Sequence, residues 1–504
     1  MSFAPILVAG SWHASKAASS FQGVNPKTME PLPTLFPISP WADLEPALAA
    51  ATIAFDQLRQ LPDSVRVDFL EKYAARIEGA RKELVEAAKL ETGLPAEPRL
   101  NSNELPRTAD QLRQAAASVR NGDWALPTID APRNIRSCYI PLGPVLTIGP
   151  NNFPFAYNSV AGGDFVSAIA AGCPVIAKGH PAHPRTTQLL AEQAHLAAKE
   201  AGLPVGTIQL VYHLAPEDGL KLVADQRLTS VGFTGSRTTG LALKKVADEH
   251  GKPIFLEMGS LNPVILLPGA IEEKPQVLLD EVAGSCLLGM GQFCTNPGLL
   301  FFLVGPGTDA FITGMVEKYR AAPVGTLLTQ GVRDNLHASI QALQKAGAEL
   351  LVGGQSGGGT GFSHQHTLLR ATGVKFLADP LGLQREAFGN ATLAVVCKDA
   401  DELQSALHQL EGQLVGSIYS QTAGNEDGLY RQLEPILRNK VGRLLNDKMP
   451  TGVAVSPAMN HGGPYPATGH PHFTAVGFPA SIRRFCMLAS YDNVRAGRLP
   501  KVLQ

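Results

Sequence analysis

The feature that most constrains the fold is an alternation of short apolar segments with amphipathic ones between residues 145 and 257. Apolar runs of four or five residues, rich in β-branched side chains, alternate there with segments of helical periodicity. Strands that are buried on both faces and separated by helices are typical of parallel sheets. The sequence therefore predicts an α/β fold with a doubly wound, Rossmann-like sheet. The predicted strands are 145–148, 175–178, 208–211, 230–234 and 254–257.

The rest of the chain divides around this block. Residues 42–117 have helical periodicity and predict an N-terminal helical layer, and a second α/β block follows residue 257. Extended segments at 134–140 and 480–488 are expected to pair with each other, across a subunit boundary. A chain of 504 residues is also too long for one core. We predict a dinucleotide-binding domain (1–130 and 142–256), a catalytic domain (257–478) and a small extended oligomerisation arm (131–141 and 479–504).

Composition excludes several classes of partner. The chain has 43 Lys and Arg against 44 Asp and Glu, a balance that gives no reason to expect nucleic acid or an acidic membrane surface. No run of about 18 apolar residues predicts a membrane span. The six cysteines show no paired spacing, and the loop histidines, His461 among them, lack nearby carboxylates or thiols. We expect a cytoplasmic protein that requires no metal.

Two segments offer catalytic side chains. Cys294 lies in a glycine-rich loop, 289–298, which suits an exposed nucleophilic thiol better than a helix face would. Glu257 ends an apolar strand, where ligands of open α/β sheets bind, so it is placed for a general base. A buried structural cysteine and a solvated strand end are the alternative interpretations, and either residue alone would leave them open.

Two further turns suit ligand binding. Residues 233–240 follow a strand and open a helix with Gly235, Ser236 and Gly240, an arrangement in which backbone N–H groups can hold a pyrophosphate. Asn152 follows another strand and offers an amide to a developing oxyanion. Ordinary turn chemistry explains each equally well. The four segments share a position at strand ends, and this favours a common site.

These motifs, in this order, resemble those of the aldehyde dehydrogenase superfamily, whose members carry Asn-Phe-Pro, Phe-Thr-Gly-Ser, Leu-Glu-Leu-Gly-Gly and Gly-Gln-x-Cys segments. A later segment, 386–390, resembles the family's Glu-x-Phe-Gly-Pro motif. The resemblance covers almost the whole chain and implies an aldehyde-dehydrogenase-like fold and oxidation of an aldehyde through a cysteine thioester. Carried over by position, it implies these roles: Cys294 nucleophile, Glu257 base, Asn152 oxyanion donor, Lys178 adenosine-ribose contact, Glu386 nicotinamide-ribose contact, and His180, Gly235, Ser236, Gly240 and Phe388 in cofactor binding.

One departure from the family pattern concerns the cofactor. The family commonly has Lys-Pro-x-Glu where this chain has Lys178 followed by Gly-His-Pro181. A glutamate at that place would repel a 2′-phosphate, which carries close to two negative charges. With Pro181 the resemblance implies an NADP-dependent enzyme, with NAD as an alternative.

The segments 161–164, 171–174, 180–184 and 461–468 resemble the family branch that oxidises 2-oxoglutarate semialdehyde to 2-oxoglutarate. NADP-dependent fatty-aldehyde dehydrogenases are similar in the same stretches, so a long-chain or aromatic aldehyde is the alternative substrate. A non-catalytic structural or binding protein on the same fold is the alternative of another class. Related enzymes form homodimers or homotetramers, and we expect the same here.

Overall fold

The computed structural model describes residues 3–504, and within that range the strands form four sheets. The strands are β1 Ile6–Val8, β2 Ser11–His13, β3 Ser20–Asn25, β4 Glu30–Pro37, β5 Thr128–Asp130, β6 Ile135–Pro141, β7 Val145–Ile148, β8 Val175–Lys178, β9 Ile208–Val211, β10 Ser230–Thr234, β11 Ile254–Glu257, β12 Val264–Leu266, β13 Leu299–Leu303, β14 Glu349–Val352, β15 Thr367–Thr372, β16 Ala391–Cys397, β17 Gln413–Tyr419, β18 Val441–Asn446 and β19 Cys486–Asp492.

Helices connect and cover these strands. They are α1 Trp41–Leu58, α2 Asp63–Gly79, α3 Arg81–Thr92, α4 Leu105–Asn121, α5 Gly163–Ala171, α6 Pro184–Ala201, α7 Pro216–Ala224, α8 Arg237–Glu249, α9 Pro268–Glu273, α10 Pro275–Leu287, α11 Thr308–Ala321, α12 Gln330–Lys345, α13 Gly373–Ala378, α14 Pro380–Leu383, α15 Ala400–His408 and α16 Asp427–Arg438. An irregular helical segment, Ala96–Glu104, precedes α4, and short 3₁₀ turns include Leu288–Gly291 and Ala480–Phe485.

The first sheet confirms the predicted α/β block. Its order is β11-β10-β7-β8-β9-β1-β2, and the five strands from β7 to β11 are parallel. The short N-terminal strands β1 and β2 extend it in antiparallel fashion, which the sequence did not predict. Most side chains of the five parallel strands are buried, so their carboxyl ends are the part of the sheet that opens to a ligand.

The predicted helical layer is α1 to α4. Its apolar side chains join one core with those of the first sheet, and α2 packs on both α4 and α6. The second sheet has the order β14-β15-β16-β13-β12-β17-β18 and is parallel except for β14. Only the linker 258–263 separates β11 of the first sheet from β12 of the second along the chain.

The third sheet corrects the predicted arm. β6 pairs with β19 of the same chain, from Pro141 with Cys486 to Ile135 with Asp492, and not across a subunit boundary. The extended segment expected at 480–488 begins instead with the 3₁₀ turn Ala480–Phe485, and the strand runs to Asp492. β5 joins the same sheet through its antiparallel pairing with β6. No helix of the described part of the chain is long and apolar enough to cross a membrane.

Candidate functional site

The predicted catalytic side chains lie together where the two large sheets meet. β7 and β11 both flank β10 in parallel, so the loop carrying Asn152 and the end of β11 carrying Glu257 open to the same side. Cys294 lies between the turn Leu288–Gly291 and β13 of the second sheet. The Asn152 Nδ2 donates to the carbonyl of Gln292, 3.0 Å away and two residues before Cys294. The structure thus brings Asn152, Glu257 and Cys294 to one place.

A histidine stands between the thiol and the carboxylate. The His461 Nε2 is 3.6 Å from the Cys294 Sγ and 2.9 Å from the Glu257 Oε1. His461 is 3% exposed and Glu257 is 4% exposed. Because both contacts reach the same nitrogen, an N–H there can be donated to the carboxylate or to a thiolate. His461 therefore connects the predicted nucleophile to the predicted base.

Electrostatics at the thiol oppose its ionisation in the resting site. Burial raises the pKa of Cys294 well above its ordinary value, and the neighbouring Glu257 carboxylate raises it further, while the Arg107 charge lowers it. Since the thiolate is the reactive form, the protein needs local donors or a proton acceptor to populate it. His461, with its Nε2 3.6 Å from the Cys294 Sγ, is a group that can donate to the thiolate.

The ligand-type atoms of Glu257, Cys294 and His461 all lie within 4.8 Å of one another. A metal ion would fit such a spacing, but we assign none to it. The expectation that the protein requires no metal stays a prediction.

Asn262 holds the nucleophile loop in place. Its Nδ2 donates to the carbonyls of Cys294 at 2.9 Å and Asn296 at 2.8 Å. Asn262 lies in the linker 258–263 with a φ of 50°, a left-handed conformation that asparagine tolerates better than most residues. The linker between the sheets thereby fixes the position of Cys294 relative to Glu257.

A buried glutamate supports the Asn152 loop from the helical layer. The Glu104 Oε1 accepts hydrogen bonds from the N–H groups of Phe155 at 2.8 Å and Ala156 at 3.0 Å. Its other oxygen pairs with Arg99, whose guanidinium also donates to the Asn152 carbonyl at 2.9 Å. Glu104 is 2% exposed, so this carboxylate is a structural part of the site.

The predicted adenosine side of the cofactor site lies at the end of β8. Burial lowers the pKa of Lys178 to about 8. Burial, with nearby positive groups, holds the pKa of His180 well below its ordinary value, so this ring is neutral at pH 7. His183 is buried and its Nε2 is 2.9 Å from the Pro150 carbonyl, so it braces the Asn152 loop. Arg185 pairs with Glu83 and Glu192, which leaves Lys178 as the cation of this loop.

The predicted phosphate turn ends β10 and opens α8. Ser236 is the N-cap of α8, and its hydroxyl accepts a hydrogen bond from the Thr239 N–H at 3.3 Å. The Gly235 N–H donates to the Glu257 carbonyl and the Gly240 N–H to the Ser236 carbonyl. A Cβ on Gly240 would lie 3.1 Å from the Met258 Sδ. Gly240 therefore allows close packing of α8, while the exposed end at Ser236 is the part open to a ligand.

Glu386 lies against the linker between the sheets. Its Oε1 accepts from the Ser260 N–H at 3.3 Å, and burial raises its pKa to about 7. A Cβ on Gly259 would lie 2.0 Å from the Glu386 Oε2, so only glycine allows this approach. Phe388 and Glu386 line a cavity that also contacts Gly291 and Phe293, next to the nucleophile loop. The nicotinamide side predicted from the sequence thus lies beside Cys294.

Sequence reasoning missed His461, Asn262 and Glu104 as parts of the site. From the sequence, His461 suggests only a metal ligand, and it lacks a carboxylate or thiol nearby in the chain to support that role. Its partners are 204 and 167 residues away. The one local signal is the Gly462-Gly463 pair that follows it, which allows the tight packing of this loop on β17 and β18.

Comparisons with known proteins agree with this geometry. The model of the aldehyde dehydrogenase family matches residues 12–437. The chain is 38% identical to alpha-ketoglutaric semialdehyde dehydrogenase 2 of Azospirillum brasilense, over 99% of this chain and 96% of that one. It is 34% identical to alpha-ketoglutaric semialdehyde dehydrogenase of Acinetobacter baylyi, over 97% and 93%. The NAD+ complex of an aldehyde dehydrogenase from Bacillus cereus has a similar fold, with a TM-score of 0.82, 21% identity and coverage of 97% and 96%.

Proposed function

Because this chain belongs to the aldehyde dehydrogenase family, we propose that it oxidises 2-oxoglutarate semialdehyde to 2-oxoglutarate. Two relatives that match nearly its full length are named for that substrate under its synonym, alpha-ketoglutaric semialdehyde. The observation that carries the proposal is the Cys294–His461–Glu257 arrangement, with contacts of 3.6 Å and 2.9 Å between the three groups.

The nucleophile acts first in this reaction. Once the thiol has given its proton to a water molecule, the Cys294 sulfur attacks the aldehyde carbon, and the carbonyl oxygen becomes an oxyanion. The Asn152 amide, which already reaches the Cys294 loop, and the Cys294 N–H are the donors that stabilise it. The dinucleotide, when bound, supplies the acceptor for the hydride of the aldehyde carbon.

Glu257 acts on the acyl group that then remains on Cys294. Among the described residues its Oε2 is buried without a hydrogen-bond partner, so it is free to accept a proton from a water molecule. That water attacks the acyl carbon, the carbon–sulfur bond breaks and the carboxylate leaves. His461 holds the other oxygen of Glu257 and thereby orients the base.

The cofactor that we propose is NADP, with NAD as the alternative. The chain's residues suit a dinucleotide: the Ser236 end of α8 is exposed, Lys178 lies at the end of β8, and the Glu386 carboxylate can accept from ribose hydroxyls beside Cys294. Pro181 lies three residues beyond the end of β8 and brings no negative charge against a 2′-phosphate. Lys178 would supply attraction at the same loop.

Substitution of this proline tests the cofactor proposal. Pro181→Glu should lower kcat/KM for NADP by a larger factor than kcat/KM for NAD, because a carboxylate repels the 2′-phosphate. Pro181→Ala is the matched control, since it changes the loop without adding charge. A wild-type enzyme that strongly prefers NAD, or an unchanged ratio in Pro181→Glu, would show that position 181 does not set the preference.

A second substrate class is favoured by the wall beside the nucleophile. Phe153, Tyr157 and Phe293 form edge-to-face contacts there, with ring centroids 5.1 Å and 5.6 Å apart. Val476 completes this apolar cluster. Such a wall also suits a long-chain or aromatic aldehyde.

A substrate panel separates these possibilities. We expect kcat/KM for 2-oxoglutarate semialdehyde to exceed the values for decanal and benzaldehyde. Preference for decanal or benzaldehyde would replace the proposed substrate while leaving the reaction class intact. Failure to reduce either dinucleotide with any aldehyde would favour the non-catalytic alternative.

We also propose a homodimer or homotetramer in the cytoplasm. The sheet of β5, β6 and β19 exposes large apolar side chains, with Leu488 58% and Ile129 52% exposed, as expected of a surface that another copy covers. All six cysteines are free, which suits a reducing compartment. A monomeric mass by light scattering at micromolar concentration would contradict the oligomer.

A further inference from the structure

Arg107 lies in the first turn of α4, above the aromatic wall of the site. Its Nη2 donates to the Tyr157 Oη at 3.2 Å, and its guanidinium carbon lies 5.3 Å from the centre of the Tyr157 ring. The Tyr157 ring in turn lies 5.9 Å from the His461 ring. A short series of contacts therefore links the Arg107 charge to the nucleophile.

In the part of the chain that the structure describes, the guanidinium of Arg107 lacks an anionic partner. Among residues 3–504 its one hydrogen bond is to Tyr157, and its Nε is buried with no acceptor. The nearby Glu104 is already occupied by Arg99 and two backbone N–H groups. A partly buried charge without a counter-ion is costly, and an anionic ligand would relieve that cost.

Other arginines of the region are satisfied. Arg113, on the same helix, pairs with the exposed Glu78 at 2.6 Å. Arg443 also acts electrostatically on Cys294, but its guanidinium donates to the carbonyls of Gly452 and Pro450 at 3.0 Å and 2.8 Å. Among the described residues Arg107 makes one hydrogen bond, to Tyr157, whereas Arg113 and Arg443 each make at least two.

Arg107 is close enough to Cys294 for its charge to affect the thiol. Against the upward effects of burial and of Glu257, the Arg107 charge lowers the pKa of the Cys294 thiol. Tyr157 contacts Arg107, and His461 contacts both Tyr157 and Cys294. In a five-carbon semialdehyde acid, four carbon–carbon bonds separate the aldehyde from the carboxylate carbon by about 5 Å. Its two ends can therefore reach two groups that are not adjacent, such as Arg107 and Cys294.

We propose that Arg107, oriented by Tyr157, binds the carboxylate of a short aldehyde acid while its aldehyde group reaches Cys294. The planar guanidinium can donate two parallel hydrogen bonds to a carboxylate, which fixes the distance of the aldehyde from this anchor. This inference rests on the proposed function and deepens it, because it names the residue that selects acids over neutral aldehydes.

The test compares an acid with a neutral aldehyde of the same length. We expect Arg107→Gln to lower the ratio of kcat/KM for 2-oxoglutarate semialdehyde to kcat/KM for pentanal by about 10- to 100-fold, the usual range for a lost hydrogen bond to a charged group. The kcat/KM for pentanal should fall by a smaller factor, because the loss of the Arg107 charge raises the pKa of the Cys294 thiol. Arg107→Lys should recover part of the ratio, and Arg113→Gln, on the same helix, should match wild type.

A binding measurement separates recognition from catalysis. Glutarate, which carries a carboxylate at each end, should slow alkylation of Cys294 by iodoacetamide in wild type and in Arg113→Gln, but not in Arg107→Gln. Circular dichroism and melting temperature check that the variants are folded. Equal losses for the acid and for pentanal, together with retained glutarate protection, would overturn the assignment of Arg107.

The two proposals can fail separately. If wild type prefers 2-oxoglutarate semialdehyde and Arg107→Gln leaves the ratio unchanged, the substrate stands and the anchor is wrong. If wild type prefers another short aldehyde acid and Arg107→Gln lowers its ratio to the neutral analogue, the anchor stands and the substrate is wrong.

Discussion

Glu257→Gln should have two opposite effects on Cys294, and this is the sharpest prediction that the site offers. The carboxylate raises the pKa of the thiol, so removing its charge should favour the thiolate. The same carboxylate is the proposed base for the water that releases the product. The variant should therefore have a more reactive thiol and almost no turnover.

The magnitude follows from the distance between the two groups. Their ligand-type atoms lie within 4.8 Å of each other. At that separation two like unit charges repel by about 3.5 kcal/mol with an effective dielectric constant near 20. Below the pKa of the thiol the fraction of thiolate would rise by about 100-fold or more.

Alkylation by iodoacetamide in the absence of cofactor measures the first effect. Its rate as a function of pH should shift to lower pH in Glu257→Gln, whereas Glu257→Asp, which keeps the charge, should stay close to wild type. Cys294→Ala gives the background from the other cysteines. Rapid mixing with aldehyde and NADP measures the second effect, as a burst of one NADPH per site followed by a stall.

A shift in the other direction would refute the reasoning. Slower alkylation of Glu257→Gln at pH 7 would mean that Glu257 accepts the thiol proton, so that its role begins before hydride transfer. Loss of the burst would lead to the same conclusion.

Three further predictions concern neighbouring groups. Cys294→Ala should abolish dehydrogenase activity while the dissociation constant for NADP, measured by fluorescence, stays near wild type; surviving turnover would exclude Cys294 as nucleophile. His461→Phe keeps a ring beside Tyr157 but removes the N–H, so kcat should fall more than in His461→Gln, which keeps a donor; equal values would make His461 a packing residue. Because burial raises the pKa of Glu386 to about 7 and only its ionised form accepts two ribose hydroxyls, KM for NADP should fall as pH rises through about 7. In Glu386→Gln this dependence should disappear, and its persistence would assign it to another group.

Much of the site could be predicted from the sequence because its residues follow strands. Asn152 and Glu257 lie just beyond or at the ends of parallel strands, and the carboxyl ends of such strands meet at one edge. Glu104 was not predicted, since a glutamate in a helical segment looks like a solvated residue until the fold buries it against the Asn152 loop. His461 was not predicted as a link for a related reason: its partners are distant in sequence and it follows no strand.

The fold also has elements that the sequence predicts and elements that it does not. Regular runs such as β7 to β11 were located within a residue or two, because apolar periodicity reports burial directly. The three-residue strands β1 and β2 carry too few residues to show a period, and the pairing of β1 with β9 depends on a contact of residue 7 with residue 210. The alternating character of residues 480–488 predicts an extended segment, whereas Ala480–Phe485 forms a 3₁₀ turn that buries Ile482 and Phe485.

The linker 258–263 places the base and the nucleophile on different sheets, since Glu257 ends β11 and Cys294 precedes β13. Catalysis then depends on the alignment of the first sheet with the second. Asn262 holds this alignment through two hydrogen bonds to the loop that carries Cys294. An interface of this kind can loosen before either sheet melts. In mild urea, activity should be lost at concentrations that leave the far-ultraviolet circular dichroism intact. Turnover would then report whether the contact between the two sheets is intact.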